Sequence, residues 1–218
     1  MSNKTRSQEL DYIIDGYKHF RQKYFDGNNS IFKDLKNGQN PQILVIACSD
    51  SRVDPAVILD CKPGDLFVVR NVANLVPPFE DDVSHHGTSA ALEFGVCVLG
   101  VRHIIIFGHS GCGGIRSLFE DQTKMQKGNF ISKWMELAKT AYHKTLKNYS
   151  LASIDDQASH CTHFALIHSL DNLSTFPWIK SRVENGELSL HSWYFDIETG
   201  MIEEFKIELG RFVNLQID

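Results

Sequence analysis

The chain contains no run approaching the roughly 20 apolar residues needed to span a bilayer. Its start, Met1 to Gly16, is polar and mixed in charge rather than apolar in the manner of a secretory leader. These absences lead to the expectation of a soluble, cytoplasmic protein with no membrane partner. Positive charge is also scarce: 22 Lys and Arg stand against 27 Asp and Glu among 218 residues, a formal net charge of -5. Such a chain repels a phosphate backbone, so no nucleic-acid partner is expected. Cysteine is limited to five residues, an odd number that cannot complete a disulfide framework. In a reducing compartment, metal binding or catalysis is the better use for them. There is no repeat, no low-complexity tract and no Pro/Gly/Ser-rich linker, so nothing divides the chain into independent domains.

What is present reads as an N-terminal arm followed by an α/β core. Leu10, Ile13, Ile14, Tyr17, Phe20 and Tyr24 recur near helical spacing, Gly27-Asn28-Asn29 breaks the pattern, and Ile31 to Leu35 resumes it. The arm is therefore placed over 1–38 and the core over 39–218, within one domain overall. Such an apolar stripe needs a surface to cover, either its own core or a partner subunit. Three apolar runs follow, Ile43–Ala47, Leu66–Val69 and His103–Phe107, with a helical stretch from Ser89 to Leu99 before the third. Continuous rather than alternating hydrophobicity predicts strands buried on both faces, and hence a parallel sheet wrapped by helices. Further helical patterns lie at Ile115–Glu120, Ile131–Lys147 and from Ile154, and Leu188–Ile197 with Met201–Leu209 reads as an antiparallel hairpin.

Two polar clusters fall at the carboxyl ends of predicted strands, the edge where ligands bind in open α/β sheets. Cys48-Ser49-Asp50-Ser51-Arg52 follows the first run, and His109-Ser110-Gly111-Cys112-Gly113-Gly114 follows the third. Two thiolates and an imidazole suit tetrahedral zinc, and a catalytic zinc keeps three protein ligands and one open position. Cys48, His109 and Cys112 supply those three. Asp50 and Arg52 lie two apart and can form a bidentate pair beside the metal. Asp50 then has two mutually exclusive roles: accepting a hydrogen bond from the reacting water, or closing the fourth position as a ligand. Gly111, Gly113 and Gly114 let backbone N–H groups approach a small anion such as bicarbonate. Cys61, Cys97 and Cys161 read as packing residues, and His85, His86, His103 and His160 as solvated ones.

Through Cys48-Ser49-Asp50-Ser51-Arg52-Val53, Arg70-Asn71-Val72-Ala73-Asn74 and Gly108-His109-Ser110-Gly111-Cys112-Gly113-Gly114, the chain resembles the β-class carbonic anhydrases. The resemblance implies one Zn2+ per subunit on Cys48, His109 and Cys112, and an Asp50–Arg52 dyad that gates hydration of carbon dioxide to bicarbonate by metal-hydroxide attack. It also implies a four-stranded parallel core extended by C-terminal strands, and a homodimer or dimer of dimers clasped by the N-terminal helices. Gln39 stands where the plant-like subtype contacts substrate across the dimer interface, and Phe67 and Val72 match positions lining the substrate pocket. Phe94 replaces a Tyr of that subtype. A second subtype carries a non-catalytic bicarbonate pocket of Trp, Arg and Tyr; the corresponding residues here are Val45, Arg70 and Phe195, so that inhibition is expected to be absent. The ligands alone leave open a hydrolase of carbon disulfide or carbonyl sulfide on the same scaffold, or a non-catalytic zinc or redox-sensing protein.

Overall fold

The computed structural model describes residues 6–26, 30–82, 84–120 and 130–215. The break expected at Gly27-Asn28-Asn29 lies outside the described residues. The chain forms two compact units, Met1–Asn40 and Pro41–Asp218.

In the first unit, helix α1 (Arg6–Phe25) is followed by the single turn α2 (Phe32–Leu35). Phe32 stacks on Phe25 at 5.1 Å and meets Tyr24 edge-on at 5.7 Å, so an aromatic cluster joins the two helices. The N-terminal half of the stripe is uncovered: Leu10, Ile13 and Tyr17 are 63%, 65% and 59% exposed.

The second unit is built on a six-stranded sheet. Its strands are β1 (Ile43–Cys48), β2 (Leu66–Asn71), β3 (His103–His109), β4 (Ser189–Phe195), β5 (Ile202–Lys206) and β6 (Arg211–Asn214). Their order is β2-β1-β3-β4-β5-β6. The first four are parallel and the last two antiparallel. β1 and β3 are continuous apolar runs because both faces are covered. Leu44, Ile46, Ile104 and Ile106 pack with Leu166 and Leu170 of the long helix Ile154–Leu173. Val45, Ala47, Ile105 and Phe107 face the opposite side with Trp193 and Phe195. Burying each large aliphatic side chain contributes about 1.5–3 kcal/mol, which fixes the frame from which the strand ends project.

Four expectations are adjusted. β2 is the edge strand, and its side chains are only partly covered rather than buried on both faces. The helix starting at Ser89 is α4 (Gly87–Glu93) running into one π-helical turn, Phe94–Val98, whose Val96 carbonyl accepts a hydrogen bond from Arg182 at 2.5 Å. The pattern at Ile115–Glu120 is a single turn, α5 (Gly113–Arg116). The last strand is split: a turn at Ile207–Leu209, closed by Gly210 in the left-handed region, sends the chain back as β6.

Candidate metal centre

β1 ends at Cys48 and β3 at His109, and the register pairs Ala47 with Phe107, so neighbouring parallel strands deliver both side chains to one sheet edge. Cys112 lies in extended backbone just before α5 and comes back to the same place. All three are buried. The two sulfurs are 3.9 Å apart, and one donor atom from each of the three residues lies within 4.8 Å of the others.

The imidazole is aimed. His109 Nδ1 lies 2.9 Å from the Ser110 carbonyl, which can only accept, so Nδ1 carries the proton and Nε2 presents a bare lone pair. Ser110 is itself anchored to the end of β4: its N–H donates to Phe195 O and its Oγ accepts from Ile197 N, both at 2.9 Å. Nε2 is buried and has no hydrogen-bond partner. Such an orphan is costly unless something completes it. Zn–S bonds of about 2.3 Å at a tetrahedral angle place two sulfurs about 3.8 Å apart, so the donor set fits a zinc ion. The thiols point the same way. Hydrogen bonding between the two sulfurs lowers the Cys48 thiol, whereas the same contact and burial push Cys112 up. A cation placed between two sulfurs 3.9 Å apart would take both as thiolates.

Asp50 and Arg52 form the pair that their spacing suggested. Arg52 Nε and Nη2 donate to Asp50 Oδ1 and Oδ2 at 2.9 and 2.7 Å, and the Arg52 N–H donates to Oδ1 at 3.0 Å. The guanidinium holds the Asp50 carboxyl well below the usual carboxylate range. Arg52 Nη2 also donates to Gly111 O at 2.9 Å, tying the two ligand loops together. Gly111 has φ +64°, a conformation that costs a side chain free energy and that glycine adopts freely. Asp50 Oδ2 is 4.0 Å from His109 Nε2.

Other candidate residues are placed less uniformly. Val72 packs on the Cys112 loop so closely that a Cβ on Gly114 would stand 2.9 Å from its Cγ1, and its carbonyl accepts from Trp134 Nε1 at 2.8 Å. Gly113 opens α5 with open space where a Cβ would stand. Phe67 is not near its own chain's donors. It pairs with Leu44, four residues before Cys48 and so roughly 13 Å along the strand, and stacks on the half-exposed Phe94 at 5.8 Å. Gln39 is exposed near the end of the first unit. Cys161 is buried as a packing residue, but Cys97 is exposed on the π-helical turn, contrary to expectation.

Two residues of the quoted motifs contribute in ways that residue type does not indicate. Ser110 acts through backbone and hydroxyl rather than as a ligand, and Arg70 donates to Cys48 O at 2.9 Å and Asp50 O at 2.6 Å. A second donor group, Glu80, Asp82 and His86, is largely exposed, and His86 Nε2 and Asp82 Oδ1 satisfy each other at 2.7 Å.

Known proteins align with this arrangement. The family model described as "Carbonic anhydrase" matches residues 43–202, which include all three donors. Beta carbonic anhydrase 5, chloroplastic, of Arabidopsis thaliana is 41% identical over 207 residues, covering 93% of this chain and 68% of its own. A carbonic anhydrase of Synechocystis is 36% identical over 204 residues, covering 94% and 74%. Among solved structures, the β-carbonic anhydrase CcaA superposes with a TM-score of 0.89 at 35% identity over 96% of this chain and 93% of that one. A tetrameric β-carbonic anhydrase of Sordaria macrospora gives 0.74 at 30% identity over 95% and 96%. Matching the family over the sheet, both ligand loops and the hairpin, the chain belongs to the β-class carbonic anhydrases.

Proposed function

We propose that the protein catalyses the reversible hydration of carbon dioxide, CO2 + H2O to HCO3− + H+, at a zinc ion held by Cys48, His109 and Cys112. The observation that carries this is the buried, partnerless His109 Nε2 facing two sulfurs 3.9 Å apart, with a charged Asp50–Arg52 pair alongside. Zinc bound there supplies Lewis-acid chemistry that makes water a competent nucleophile near neutral pH.

The chain's own residues do the rest. Arg52 keeps Asp50 anionic and fixes both of its oxygens, so Asp50 orients the attacking water by accepting a hydrogen bond. It could serve as a fourth ligand only by giving up Arg52, and the bidentate contact favours the open arrangement. Val72 gives apolar carbon dioxide a surface, and Gly113 leaves its backbone open to bicarbonate. The roughly 13 Å between Phe67 and its own Cys48 level supports a role at a partner's centre, with Gln39 reaching across in the same way.

The subunit is read as plant-like, forming a homodimer or dimer of dimers; the uncovered Leu10, Ile13 and Tyr17 of α1 and the tetrameric relative support this. Regulation through a non-catalytic bicarbonate pocket is read as absent. Val45 is fully buried, Phe195 lacks a hydroxyl, and the Arg70 guanidinium is committed to Asp54 and two carbonyls. A cytoplasmic location is kept from the sequence, and among the described residues no helix is long and apolar enough to cross a membrane. Stopped-flow hydration by the zinc-loaded protein tests the activity. Release of sulfide from carbon disulfide or carbonyl sulfide with negligible carbon dioxide hydration would overturn it.

A further inference from the structure

Arg70 does more than border the site. It sits on β2 opposite Ala47, and its guanidinium crosses to the turn that leaves β1. Nε donates to Cys48 O at 2.9 Å, Nη2 to Asp50 O at 2.6 Å and Nη1 to Asp54 Oδ2 at 3.0 Å. Asp54 is itself bound into the frame: its Oδ1 accepts from Ala56 N at 3.0 Å and so caps helix α3 (Pro55–Ile58). One planar fork therefore grips the carbonyl of a zinc ligand, the carbonyl of the acid beside the zinc and the residue that starts the next helix. Because the donors of a guanidinium share one rigid plane, moving any one of these groups disturbs the other two.

The two arginines divide the work. Arg52 holds the Asp50 carboxylate, whereas Arg70 holds the Asp50 main chain. We infer that Arg70, backed by Asp54, is a positioning residue for this reaction: it fixes the spacing between the Cys48 thiolate and the Asp50 carboxylate and keeps Asp50 out of the ligand sphere. A carboxylate 4.0 Å from His109 Nε2 needs only a small main-chain shift to reach the donor cluster, and the Arg70 bond to Asp50 O opposes that shift. A lysine at this position offers a point charge and cannot reproduce the fork.

The inference rests on the zinc-site reading above, and its test separates the two. Arg70→Gln, Arg70→Lys and Asp54→Asn are loaded with zinc, and with cobalt for spectroscopy, beside the unaltered enzyme and Arg102→Gln. The last removes an arginine bond to Gln42 at the opposite end of the strands. Arg70→Gln and Arg70→Lys are expected to lower kcat by about 10–100-fold, the scale of partners that orient metal ligands, with a smaller change in KM. They are also expected to shift the visible cobalt spectrum and to alter the rate of zinc release to a chelator. Asp54→Asn keeps the helix cap and loses the charge, so a smaller shift in the same direction is expected, which preserves the test if Arg70 variants fold poorly. Millimolar guanidinium should restore part of the activity of Arg70→Ala. Variants that lose only Tm, with kcat, cobalt spectrum and zinc release within twofold of the unaltered enzyme, would overturn the inference. If the unaltered enzyme fails to hydrate carbon dioxide, the functional reading falls, while the cobalt spectrum and zinc release still decide the role of Arg70.

Discussion

Two groups of metal-binding side chains in this protein look alike on paper and differ in what they can do. Cys48, His109 and Cys112 are buried, carried on two strand ends and a tight loop, and include a nitrogen with no partner. Glu80, Asp82 and His86 are equally close together but largely exposed, and His86 and Asp82 satisfy each other at 2.7 Å. Proximity of donors is thus common to both. What separates them is whether folding leaves the donors unsatisfied and unable to reach water: in the buried group it does, so a cation lowers the free energy of the folded state, whereas the exposed group has water and its own ion pair.

The sharpest way to break this comparison is to delete a donor from each group. Cys48→Ala or Cys112→Ala is expected to abolish stoichiometric zinc, and with it the hydration activity, as read by metal analysis and stopped-flow assay. Full activity in either variant would remove the distinction. Next in size come Asp50→Asn and Arg52→Ala, which should retain zinc and lose activity by about 100-fold, because they act on the bound ligands and water rather than on the metal. Loss of zinc in these variants would place Asp50 among the ligands. His86→Ala is expected to leave one zinc per chain and activity within about twofold; a fall in zinc content would show that the exposed group binds metal after all.

The smallest effect expected is on acid stability. The hydrogen bond from His86 holds the Asp82 carboxyl below the usual carboxylate range. A carboxyl whose folded-state value is depressed contributes stability that is present above its unfolded value of about 4 and is lost as pH falls through the folded one. Asp82→Asn should therefore lower Tm slightly near pH 6, with the difference from the parent narrowing as pH falls below about 4. Parallel Tm curves for the two proteins down to pH 3 would show that the pair is electrostatically idle.

The same contrast explains how much of the molecule can be read from its sequence. β1 and β3 announce themselves as Ile43–Ala47 and His103–Phe107 because sheet interiors covered on both faces demand unbroken apolar runs, and the donors follow directly at their ends. The Asp50–Arg52 pair is legible because both partners lie in one turn. The role of Arg70 is not, since two of its three bonds go to the backbone carbonyls of Cys48 and Asp50 and leave no pattern in residue type. Ser110 is hidden for the same reason: the carbonyl that fixes the His109 tautomer is present in every residue. β6 escapes notice because four half-covered residues carry too little periodicity, and the edge position of β2 depends on strand order, which hydrophobicity does not encode.

The most direct test of the buried group as a catalytic zinc centre is to measure zinc content and carbon dioxide hydration on the same preparation before and after chelation. One zinc per chain is expected, with hydration lost on its removal and restored when zinc is returned. Undiminished hydration by zinc-free protein, or no hydration by protein carrying one zinc per chain, would contradict it.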